Sequence, residues 1–117
     1  IESGQAAYAH LMTQAPDLTA IGAVNDSMAV GAIRAAQAAG RRIPAELSVV
    51  GFDNIAWSQL NDPPLTTLDV PKRQMGLEAA HRLLSLLSAP EDGVLPTQLN
   101  VAVHLIERGS TAATQRG

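Results

Sequence analysis

The chain has 117 residues, 46% of them hydrophobic, a net charge of -3 and no cysteine. That length carries one small domain with one core, and the absence of cysteine excludes disulfides, thiolate chemistry and cysteine metal sites. No apolar run reaches membrane-spanning length, and the scattered basic residues form no patch of the kind that grips DNA phosphates. Tyr8, Phe52 and Trp57 are the only aromatic residues, so the core must be aliphatic and alanine-rich. The opening Ile1–Glu2–Ser3–Gly4 is neither basic nor followed by an apolar core, unlike a signal peptide. With no methionine at position 1, the chain is expected to be a piece of a longer protein.

In chain order, residues 2–14 read as a helix, with Ser3 as a cap and Pro16 forcing a stop. Ala20–Ile21–Gly22–Ala23–Val24 is a short buried strand ending at Asn25–Asp26. The strongest helix signal follows over 27–39. Asp26 caps it, Met28, Ala29, Ala32, Ile33 and Ala36 form its apolar stripe, and Gly40 stops it. Pro44 leads to Leu47–Ser48–Val49–Val50, a strand buried on both faces, which Gly51 ends. After a polar, loop-like interval, Pro63–Pro64 stiffens the chain, and Leu65–Thr66–Thr67–Leu68 resumes a strand. A helix over 72–87 comes next, then a turn-rich break at 89–93. Thr97 to Glu107 alternates as a strand or bent hairpin arm before a polar tail.

Strand, helix and strand within about thirty residues form a βαβ unit, so the fold class is α/β with a parallel sheet. Parallel strands end at one edge, and Asn25 and Asp53 therefore emerge together where open α/β sheets bind ligands. An ionised Asp53 accepts from two hydroxyls, and Asn25 both donates and accepts, which suits a polyol, sugar or nucleoside. Both residues serve equally as caps, and the sequence leaves these two roles open. Trp57 either stacks on a sugar or lies in an interface, with the interface favoured. Val30, Arg34 and Gln37 lie off the apolar stripe, to meet a second subunit or water. No nucleophile elbow, phosphate loop, dinucleotide fingerprint or His-Glu-x-x-His is present. His10, His81 and His104 are not spaced as metal ligands. Neither a catalytic set nor a metal or cofactor is expected.

Four stretches, taken in order and spacing, carry a resemblance: Asn25–Asp26–Ser27–Met28–Ala29–Val30–Gly31, Ala39–Gly40 with Pro44, Ser48–Val49–Val50–Gly51–Phe52–Asp53–Asn54, and Pro63–Pro64–Leu65–Thr66–Thr67. Gly76 and Arg108–Gly109–Ser110–Thr111 add to it. The chain resembles the C-terminal part of the effector-binding core of LacI/GalR transcriptional regulators, with a periplasmic-binding-protein-like (type I) fold. The resemblance implies a small effector (sugar, sugar phosphate or purine) in an interlobe cleft, a homodimer, and operator DNA bound only through a missing N-terminal domain. It implies a cytoplasmic protein with no membrane partner. Asn25 and Asp53 match effector-binding positions, and Val30, Ile33, Arg34, Gln37, Trp57 and Leu60 match the dimer surface. Residues 1–67 would belong to the C-terminal lobe, 68–93 to a crossover and helix of the N-terminal lobe, and 94–117 to the returning strand and tail. Where many members carry a polar residue before the second crossing helix, this chain has Val70. The alternative is a periplasmic sugar-binding protein of an importer, which shares the fold and needs a signal peptide upstream.

Overall fold

The structure, a computed structural model, describes residues 1–88 and 98–113. The elements run α1 (Glu2–Gln14), β1 (Ala20–Gly22), α2 (Asp26–Ala38), β2 (Ser48–Phe52), α3 (Ala56–Leu60), β3 (Thr66–Asp69), α4 (Lys72–Ser88) and β4 (His104–Ile106). The chain divides into two compact units, one holding Ile1–Asp69 and His104–Gly117, the other Val70–Val103.

In the first unit the described residues build a sheet in the order β1-β2-β3-β4. β1, β2 and β3 are parallel, in the register Ala20↔Ser48 and Val50↔Thr66, and β4 lies antiparallel to β3 with Asp69 opposite His104. The helix between β1 and β2 supplies the core. Its Ala29, Val30, Ala32, Ile33 and Ala36 cluster with Leu47, Val49, Leu65 and Tyr8. Each fully buried Val, Leu or Ile side chain there contributes about 1.5–3 kcal/mol. The α1 and α2 backbones pass close enough that a Cβ on Gly4 would lie 2.1 Å from the Met28 carbonyl oxygen, and one on Gly31 2.1 Å from that of Ile1. Gly40, with φ 82, turns the chain out of α2 as its sequence position foretold. In the second unit, α4 and Leu99 and Val101 share a small apolar pocket beside Met75 and Ala79.

Several expectations need correction. Val30 and Ile33 are 2% and 0% exposed. They sit in this chain's own core, which removes them from the dimer surface. The reason is the breadth of α2's buried face, which takes in Val30 beside the expected stripe that already held Ile33. Asn25, not Asp26, caps α2, and α1 has no side-chain cap, so Ser3 does not serve. β2 runs past Gly51 through Phe52, and its burial alternates instead of covering both faces. The interval after β2 holds a short helix, α3, tightened where Ser58 Oγ donates to the Ile55 carbonyl. The Thr97–Glu107 alternation yields a strand only at His104–Ile106, the residues with register partners on β3, and residues 98–103 are irregular. The turn-rich break at 89–93 and the tail beyond 113 lie outside the described residues.

Candidate functional site

β1 ends opposite Val50, two residues before β2 does. Gly22 pairs with Val50, the Ala23 N–H donates to the Val50 carbonyl at 2.8 Å, and Asn25 and Asp53 lie equal distances along the chain beyond that pair. The parallel register thus brings both to the carboxyl edge of the sheet, as the spacing required. Asn25 is half-buried, and its Oδ1 accepts from the Met28 N–H at 2.9 Å. The cap engages one lone pair of the side-chain oxygen. The Nδ2 group keeps its capacity to donate, so capping and ligand holding are compatible. Asp53 is half-buried with φ 106, and its N–H donates to the Leu68 carbonyl at 3.0 Å.

The buried centre of this edge is Asp26, which is 0% exposed. Its Oδ2 accepts from the Ile55 N–H at 2.9 Å and its Oδ1 from the Thr67 hydroxyl at 2.5 Å. One carboxylate therefore joins the start of α2, the loop after β2 and the middle of β3. A buried charge is tolerated because charge-assisted donors meet it from two sides. Gly51 makes the room: a Cβ there would lie 2.2 Å from Asp26 Oδ1.

The loop after β2 is held by side chains from distant parts of the sequence. Asn54 (φ 50) donates from Nδ2 to Asp69 Oδ1 at 2.9 Å, and its Oδ1 accepts from Arg108 Nη2 at 2.7 Å. Arg108 Nη1 also donates to the Leu65 carbonyl at 2.8 Å and to Ser58 Oγ at 3.1 Å. Ser110, fully buried, donates to the Val49 carbonyl at 2.6 Å and accepts from the Thr66 N–H at 2.8 Å. Among the described residues no buried side-chain nitrogen or oxygen lacks a partner. The sequence reading gave Asp26 only a capping role and gave Asn54, Arg108 and Ser110 none of their own. β1, expected as a buried strand, is exposed at Ala20 and Gly22, and no local pattern marked Asp26 as the partner of Gly51.

The remaining expected residues separate. Trp57 and Leu60 are 61% and 76% exposed on α3. Arg34 and Gln37 are exposed on α2, with Gln37 Nε2 donating to the Asp62 carbonyl at 2.9 Å. A cavity of about 630 Å³ opens beside Thr19, Gly40, Glu46, Ser48 and Thr111. It lies at the amino-terminal ends of β1 and β2, the opposite edge from Asn25 and Asp53. Its guanidinium is occupied, with Arg41 Nη2 donating to the Leu18 carbonyl at 2.8 Å. Cavity size and the convergence of polar groups thus point to different edges. No helix among the described residues is long and apolar enough to cross a membrane.

The chain is similar to known proteins along nearly its whole length. Residues 2–111 match the family described as a periplasmic binding protein-like domain. The HTH-type transcriptional regulator CelR of Thermobifida fusca is 35% identical over 109 residues, covering 93% of this chain and 32% of CelR. The CelR–cellobiose complex superposes with a TM-score of 0.85 at 35% identity, over 93% of this chain and 33% of that one. The Lac repressor dimer bound to operator and the anti-inducer ONPF does so with a TM-score of 0.79 at 34% identity, over 96% and 38%. The chain spans about a third of the length of these relatives. They are regulators of transcription and not enzymes, as expected of a sequence without a nucleophile–base pair. The chain belongs to the LacI/GalR family of transcriptional regulators and is the C-terminal part of its periplasmic-binding-protein-like core.

Proposed function

We propose that the intact protein is a cytoplasmic, effector-controlled transcriptional regulator, and that Asn25 and Asp53 hydrogen-bond a small neutral polyol at the carboxyl edge of this sheet. The observation that carries the reading is the register that brings these two residues to one edge of a family core. Asp53 supplies acceptors and Asn25 a donor and an acceptor, the pattern that adjacent hydroxyls satisfy. A neutral ligand suits the edge because Asp53 and Asp69 carry negative charge there while the Arg108 guanidinium is committed to Asn54, Ser58 and Leu65. The cellobiose in the CelR complex is a ligand of this kind.

The segment Val70–Val103, a little later at both ends than the expected 68–93, belongs to the other lobe of the intact core. A ligand that binds one lobe arrangement better than the other biases that arrangement, and linkage carries the bias to operator affinity. Arg34, Gln37, Trp57 and Leu60 are exposed and partly apolar and would meet a second copy; the similar Lac repressor is a dimer on its operator. The test uses the purified intact protein. It should bind DNA from upstream of its own gene, and a panel of neutral sugars including cellobiose, sugar phosphates and purines should raise its melting temperature within the neutral class. Turnover of the stabilising compound, or stabilisation by none of them, contradicts the proposal.

A further inference from the structure

Asp69 ends β3, His104 begins β4, and the two are register partners. The chain leaves the first unit after Asp69 and returns to it at His104. Asn54 bonds to both segments at this point, donating to Asp69 Oδ1 at 2.9 Å and accepting from Arg108 Nη2 at 2.7 Å, just beyond β4. A carboxamide suits this position. Asp69 requires a donor and Arg108 an acceptor, and neither a carboxylate nor a hydrocarbon offers both. Arg108 is fixed in turn by the Leu65 carbonyl and Ser58 Oγ, and its own N–H donates to Thr66 Oγ1 at 2.9 Å. Asp53 and Asn54 have consecutive positive φ values, 106 and 50. Non-glycine residues keep such conformations only where the surroundings enforce them.

We propose that Asn54 is a positioning residue: its amide holds the Asp53 backbone in place and ties it to the outgoing segment at Asp69 and the returning segment at His104–Arg108. The proposal rests on the reading of Asp53 as an effector ligand. A ligand that displaces or fixes Asp53 then acts on both connections between the units through one side chain.

The test is amide hydrogen exchange on the ligand-free intact protein. Asn54→Asp sets a carboxylate against Asp69 and should speed exchange about tenfold at residues 53–58 and at Arg108, while α2 is unchanged. Adding Asp69→Asn places a donor at position 69 facing the new carboxylate at 54 and keeps an acceptor for Arg108. Both segments should then return to within about threefold of wild type. Asp69→Ala, a milder change that removes only the acceptor, should speed the same two segments about threefold. Four results would overturn the proposal: unchanged exchange, acceleration confined to 53–58, no rescue in the double variant, or equal acceleration through α2. A failed ligand panel removes the effector reading whatever the exchange shows, and a positive panel with unchanged exchange removes only the role of Asn54.

Discussion

Replacing Gly51 by alanine is expected to damage the buried carboxylate that joins the two strand ends. The new Cβ would lie 2.2 Å from Asp26 Oδ1 and 2.9 Å from Leu65 Cδ2. Ordinary contact requires the carboxylate to retreat by roughly 1 Å, which stretches its 2.5 Å bond from Thr67 beyond hydrogen-bonding range. Losing one charge-assisted hydrogen bond costs about 1.5–3 kcal/mol. Alanine recovers about 0.5–1 kcal/mol over glycine within a strand, leaving a net loss of about 1–2 kcal/mol. Asp26→Ala removes the Ile55 and Thr67 bonds together and should cost about 3–5 kcal/mol. It also empties the space that the methyl group needs. In that background Gly51→Ala should cost almost nothing, a coupling of about 1–2 kcal/mol between the two sites. Urea denaturation of the intact protein and its three variants, at fixed protomer concentration and followed by circular dichroism, measures this cycle. Additive losses, or a Gly51→Ala protein as stable as wild type, would refute the steric argument.

Three further outcomes are expected. Gly31→Ala should lower the melting temperature although alanine favours a helix interior by about 1 kcal/mol. The added Cβ meets the Ile1 carbonyl at 2.1 Å, and the net loss should be about 1–3 kcal/mol. Ser110→Ala orphans the Val49 carbonyl and the Thr66 N–H inside the sheet and should cost about 2–4 kcal/mol in the urea midpoint. The Arg42 side chain, donating to Glu46 at 3.1 Å, holds the Glu46 carboxyl below the usual carboxylate range. Its contribution to stability is therefore present above the unfolded-state value and is lost as pH falls through the lowered folded value. Both side chains face solvent, so the acid-unfolding curve of Glu46→Gln should nearly superimpose on that of wild type.

The parts of the fold that sequence made legible are those set by local pattern. Apolar periodicity placed α1, α2 and α4, and β-branched runs beside Gly and Pro placed β1 to β3. The parallel pairing that brings Asn25 and Asp53 to one edge followed from the βαβ spacing. What local pattern hid was set by partners far along the chain. Val30 looked available because helical spacing shows which residues share a face and not how broad a face the neighbouring elements bury. Gly51 looked like a strand terminator because its need for no side chain comes from Asp26, a residue on the preceding element. Asn54 and Arg108 are separated by most of the second half of the chain, and no spacing rule links them. Three residues between irregular chain and a tight turn, the exposed His104 and Leu105 and the half-buried Ile106, become a strand only because β3 offers them an edge.

The measurement closest to the functional reading is an isothermal titration of the intact protein with the panel compound that most raises its melting temperature, comparing wild type with Asp53→Asn. If the Asp53 carboxylate accepts hydroxyls of the effector, the substitution removes one charge-assisted hydrogen bond and raises Kd about ten- to a hundredfold. Equal affinities in the two proteins would place the effector elsewhere and contradict the assignment of this sheet edge as its site.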